Sequence, residues 1–133
     1  MRKILFVMLA LVSFGVQAAP SKIEAEKWYK DFRAAKNKVF DGGFVTKTNE
    51  HLKLSQQLAD LRKSAEKLFG EPMTSELAQC TIAAINLQNV WSSVAGIVRN
   101  GQLENRNLTF IASTAWSGGE NYPTCLNEMD KLK

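Results

Sequence analysis

From Leu77 to Val98 the chain runs without one charged residue, yet Gln79, Thr81, Asn86, Gln88, Asn89, Ser92 and Ser93 all lie inside that run. Such a segment is too long for one strand, and its apolar residues recur at helical spacing. The amides and hydroxyls argue against a bilayer span, because each would need a partner inside lipid. The run is therefore expected as a helix within a packed water-facing bundle. Steps of about 100° per residue sort it into two faces. One carries Cys80, Ala83, Ala84, Leu87, Val90, Trp91, Val94 and Val98, a broad apolar stripe. The other carries Thr81, Ile82, Ile85, Asn86, Gln88, Asn89, Ser92, Ser93 and Gly96, with no charge to hold water there. Two outcomes are open for this second face. Another helix of the same domain covers it, or it meets a partner, since depletion of charge marks the cores of protein interfaces.

The rest of the chain after Pro20 is also helical in pattern. Ser21 followed by Glu24 has capping-box spacing, and Ile23, Trp28, Phe32, Ala35 and Val39 then mark an inward stripe. Asp41-Gly42-Gly43 ends that helix in a turn. A second helix is expected to start near Thr48 or Asn49 and to turn Leu54, Leu58, Leu61, Ala65 and Leu68 inward, with Gly70 and Pro72 as its stop. Thr74 or Ser75 caps the charge-free helix, which runs to about Asn100 and stops at Gly101. Leu103–Trp116 reads as a weaker helix, Ser117-Gly118-Gly119 as a loop. Pro123 opens a short terminal helix with Leu126, Met129 and Leu132 inside. No alternation of period two is sustained, and no internal repeat occurs. Short connections between long helices favour antiparallel neighbours. The fold class expected is all-α: a compact antiparallel bundle of four to five helices with one disulfide.

Cys80 and Cys125 are the only cysteines, so a single intramolecular pairing exists. Closing the loop between them stabilises a domain by about 4 kcal/mol in the chain-entropy model. The bridge would staple the terminal helix onto the charge-free one.

The N-terminus sets the compartment. Arg2 and Lys3 precede the apolar run Ile4–Val12 and a small-residue exit, Val16-Gln17-Ala18-Ala19. That order reads as a bacterial secretory signal peptide. Extended by the few small residues that follow, the run rises roughly 20 Å as a helix, short of a hydrocarbon core of about 30 Å, so no stable membrane anchor is expected once it is removed. Cleavage after Ala18 is preferred, because cutting after Ala19 would leave Pro20 at the new terminus. The division is thus a signal peptide over 1–18 and a single helical domain over 19–133, in the periplasm or secreted. Removing Arg2 and Lys3 lowers the net charge from +4 to about +2. Acids and bases alternate along the remainder, which gives no nucleic-acid footprint.

Catalytic patterns are missing. His51 stands alone, so no multi-histidine metal site forms, and it is expected as an exposed or capping residue. C-x-x-C, C-x-x-C-H, G-x-S-x-G and a phosphate-binding glycine loop are all absent. No enzyme activity and no cofactor are expected. Trp116 and Tyr122 flank a flexible polar loop, a composition found at binding hot spots, though the favoured reading is that the two rings close the end of the bundle over the disulfide. Asn107-Leu108-Thr109 is a glycosylation sequon, expected to be silent behind a bacterial signal. The function expected is an exported module that binds another protein by steric occlusion, of the inhibitor, toxin-neutralising or chaperone kind. Its candidate partner surface is Ile82, Ile85, Asn86, Asn89, Ser93, Trp116 and Tyr122. The alternative is a carrier of a small apolar ligand walled by Trp28, Phe32, Leu87 and Trp91.

Overall fold

The computed structural model describes residues 18–40, 48–100 and 121–133. Three helices, α1 (Lys22–Phe40), α2 (Thr48–Phe69) and α3 (Gln79–Asn100), are joined by a fourth, α4, over 121–130. No strand occurs among the described residues. The four pack against one another around one core, and the Cys80–Cys125 bridge forms (Cα–Cα 4.8 Å). The all-helical bundle and its disulfide are as the sequence predicts. The Asp41-Gly42-Gly43 turn, the Gly101 stop, the Leu103–Trp116 helix, the Ser117–Gly119 loop and the Asn107 sequon lie outside the described residues.

Cross-helix contacts fix the directions. Trp28 donates its indole N–H to the Leu61 carbonyl (3.0 Å), and ten residues further along α1 Lys38 donates to Gln57 (3.2 Å), so α1 and α2 are antiparallel. Trp91 donates to Ser55 Oγ (2.8 Å) while Thr81 donates to the Gly70 carbonyl (2.8 Å), so α2 and α3 are antiparallel as well. α4 lies against α1 through Tyr122 and against α3 through the bridge.

Helix α1 starts where a full capping box satisfies its first turn. Glu24 N–H donates to Ser21 Oγ (3.3 Å), and Ser21 N–H and Oγ both donate to Glu24 Oε2 (3.1 and 2.8 Å). These bonds from Ser21 hold the Glu24 carboxyl below its usual range. The buried stripe is Ala25, Trp28, Phe32, Ala35 and Val39. Ile23, expected inward, is instead 80% exposed. Two steps on, Ala25 stands three residues before Trp28 and seven before Phe32, and so takes the inward position.

In α2, Leu54, Leu58, Leu61 and Ala65 are buried, and the four-residue step continues to Phe69. Leu68, expected inward, sits half-buried at the edge, because Phe69 sets its ring edge-on to Trp28 (4.9 Å). Gly70 then adopts φ of 90°, and its N–H donates to the Glu66 carbonyl (3.1 Å), a left-handed cap.

The connection into α3 is a turn held by backbone and side-chain hydrogen bonds. Ser75 Oγ accepts from Ala78 N–H (3.2 Å), as a capping residue should. Regular helix nonetheless begins only at Gln79. The preceding amides, Ala78, Gln79 and Cys80, donate three residues back, and the four-residue pattern starts with Ile82. In α4, Asn121 and Tyr122 are already helical, so Pro123 is not the first residue as expected. Cys125 and Met129 are the buried residues, with Leu126 half-buried and Leu132 packed against the core edge.

Two stability measurements test this architecture. Replacing Cys80 and Cys125 together by alanine lowers unfolding free energy by about 4 kcal/mol, read from the shift in urea midpoint. Gly70→Ala costs about 1–2 kcal/mol, since an L residue resists that φ and its Cβ would stand 2.8 Å from Thr74 Oγ1. An alanine there with an unchanged midpoint would refute the left-handed cap.

Candidate functional site

The charge-free helix divides between core and surface along the boundary its periodicity marks. Cys80, Ala83, Ala84, Leu87, Val90 and Trp91 are all buried, and Val94 packs against them. The indole N–H of Trp91 is satisfied by Ser55, which lets a large ring stay 2% exposed without an orphaned donor.

The other face is neither fully covered nor open. Ile82, Ile85, Asn86, Gln88, Asn89 and Ser93 are each half-buried, and Ser92 is exposed. The serine hydroxyls turn onto their own helix: Ser92 donates to the Gln88 carbonyl (2.9 Å) and Ser93 to that of Asn89 (3.1 Å). Both hydroxyl protons are thereby committed, and the oxygens remain acceptors. Gln88 Oε1 is buried with no hydrogen-bond partner, a cost not shared by the other buried side-chain polar atoms among the described residues. Thr81, assigned by periodicity to this face, is fully buried instead. Its hydroxyl crosses to the Gly70 carbonyl and ties the start of α3 to the end of α2. The side chains of Gly96 and Val98 lie outside the described residues.

Of the two aromatic residues expected on the candidate surface, only Tyr122 is described. Trp116 lies outside the described residues. Tyr122 is half-buried against α1: its hydroxyl meets that of Tyr29 at 2.6 Å, its ring stacks on Phe32 (5.8 Å), and Lys36 Nζ stands 4.6 Å over its face. It therefore closes the α1–α4 seam, with its ring and hydroxyl engaged by α1. Burial, then the Tyr29 hydrogen bond, pushes the Tyr122 phenol up to about 12.

His51, expected exposed or as a cap, is half-buried with its ring 4.7 Å from that of Trp91. Four-residue spacing explains this, since His51 lies one turn before Ser55, which holds the same indole. The four side chains expected as carrier walls are taken up by the core. Trp28 stacks on Phe32 (5.1 Å), and Leu87 and Trp91 join the same buried cluster. No cluster of His, Cys, Asp or Glu among the described residues could hold a metal, and both cysteines are oxidised. A shallow groove of about 540 Å³ between α1 and α2 carries Asp31, Lys53, Gln56, Gln57, Asp60, Leu61 and Ser64, without a histidine or a thiol.

The Tyr29–Tyr122 contact was not legible from spacing alone, because the two residues are ninety-three positions apart. The available signal was that Tyr29 adjoins Trp28 at the edge of the α1 stripe. Its energetic consequence is testable in alkali. The folded chain holds the Tyr122 proton more tightly than the unfolded chain, whose tyrosine titrates near 10.0. This contribution is whole below that pH and is lost as pH rises through about 12. Tyr122→Phe should therefore show a flatter alkaline limb in urea midpoint against pH, and a limb as steep as the parent's would assign the decline to other groups. Among known proteins, no family model, no curated relative and no solved structure matches this chain.

Proposed function

We propose that this chain is an exported protein-binding module, processed after Ala18 and acting in the periplasm or outside the cell. The observation that carries the reading is the α3 face of Ile82, Ile85, Asn86, Asn89 and Ser93, to which Gln88 belongs as well. It is long, free of charge and incompletely covered by the described helices. Interface cores have this composition: apolar anchors among amides, with charge held to the rim. The rigid backing of α3, fixed by a disulfide at one end and by the Trp91–Ser55 bond further along, suits binding by shape with little ordering cost.

Two features support export. The disulfide fits an oxidising compartment. Ala18 and Ala19 are exposed and non-helical, immediately before the capping box, so a peptidase could reach the bond between them without opening α1. No described helix is long and apolar enough to cross a membrane. The partner is a protein rather than nucleic acid, because the proposed face has no cation to neutralise phosphate.

The test is Ile85→Glu in the processed chain, followed by crosslinking in the native envelope fraction and mass spectrometry. The expected result is an unchanged helical circular-dichroism spectrum and loss of a dominant crosslinked protein, with binding weakened at least about tenfold. An unfolded variant would put this face inside the domain. A folded variant that keeps the same partner would remove the face from the binding surface.

A further inference from the structure

One side chain in the turn between α2 and α3 has no role in the fold. Met73 is 91% exposed, and its φ of 68° is a left-handed conformation that glycine or asparagine adopts at lower cost. The turn around it is firmly held. Thr74 donates through both N–H and Oγ1 to the Glu71 carbonyl (3.2 and 2.6 Å), and Gly70 is tied to Glu66 and Thr81 on the near side. A strained backbone that lifts a thioether into water calls for a chemical reason beyond packing.

The sulfur inventory supplies one. After Met8 the chain holds four sulfur atoms, those of Met73, Cys80, Cys125 and Met129. Cys80 and Cys125 are spent in a bridge and are at most 1% exposed. Met129 is 6% exposed, with its Sδ against the bridge, 3.9 Å from Cys125 Sγ. Met73 is thus the one sulfur nucleophile that a solute can reach on the folded domain.

We propose that Met73 is a reversible oxidation site that takes oxygen from hydroperoxides. Its sulfur lone pair attacks the terminal peroxide oxygen, and the S–O bond forms as the O–O bond breaks. The thioether loses two electrons and becomes a sulfoxide, while the departing oxygen gains a proton and leaves as water or an alcohol. A dithiol-dependent sulfoxide reductase reverses the step: the oxygen leaves as water and the dithiol closes to a disulfide. The new S=O group emerges in solvent, so the fold tolerates it. The same change at Met129 would place a polar group against the bridge inside the core.

The assignment requires only the exposure of Met73 and is independent of the partner face on α3. Its test is timed exposure of the disulfide-intact protein to hydrogen peroxide, followed by peptide mapping. Met73 should gain one oxygen about tenfold or more faster than Met129. The singly oxidised protein should melt within about 2 °C of the untreated one. The two stereospecific methionine sulfoxide reductases, recycled by thioredoxin, should return it to the starting mass. Met73→Gln should melt like the parent and lose the fast uptake beyond residue 20. Equal rates at the two methionines, a lowered melting point on single oxidation, or failure of the reductases to restore Met73 would each overturn the proposal.

Discussion

The bond between Cys80 and Cys125 is the constraint that positions the last element. The described part of α4, like most isolated helical segments, owes its order in water to what it touches. It has few buried side chains with which to do so, Cys125 and Met129, and one of these is the bridge itself. The covalent link fixes α4 against the start of α3, and other contacts then become available at little further entropic cost. Tyr122 reaches the α1 seam, where it meets Tyr29, Phe32 and Lys36. At the far end Lys131 pairs with Glu128, which raises the lysine's affinity for its proton. The bridge thus ties α1, α3 and α4 together, although α1 and α3 share only a narrow contact of their own.

Helix periodicity made much of the core readable, and its errors have a common physical origin. A stripe is defined by its large residues, and where a stripe meets a helix end the sequence offers two candidates. At the start of α1 those were Ile23 and Ala25, and at the end of α2 they were Leu68 and Phe69. Hydrophobicity favours Ile23 over Ala25, but the angle favours Ala25, which stacks on Trp28 and Phe32 within the same stripe. At Phe69 the deciding contact is the edge-on Trp28 ring, from another helix. Thr81 shows the same limit in polar form. Nothing near it in the chain reveals that its hydroxyl serves the carbonyl left open where α2 ends at Gly70, eleven residues earlier. Local pattern gives direction around a helix, whereas contacts between helices decide which marginal residue is buried.

The candidate site was legible to a similar degree. Composition alone singled out the α3 face, because a run of amides and small residues without charge is unusual on a helix that meets water. The spacing did not reveal the partners of Tyr122. Its neighbours in sequence are polar, and its partners lie on α1. Nor did it reveal the His51–Trp91 contact, which depends on α2 and α3 being antiparallel in the register set by Trp91 and Ser55.

Gln88 sharpens the meaning of that face. A buried amide oxygen without a donor costs more than an exposed one, and replacement by an apolar residue of similar size would relieve the penalty. The oxygen carries that cost unless a donor reaches it. The two serine hydroxyls nearby cannot supply it, because both are turned back onto the backbone of their own helix. Among the described residues no group supplies that donor, and the oxygen is already covered. The same reasoning explains why charge is excluded. A lysine or glutamate here would have to give up its hydration shell when the face was covered, a cost that an amide recovers with one bond and an isoleucine does not incur. A neutral face with amides set among isoleucines is therefore one that can be covered, from inside the domain or outside it, at a low desolvation cost.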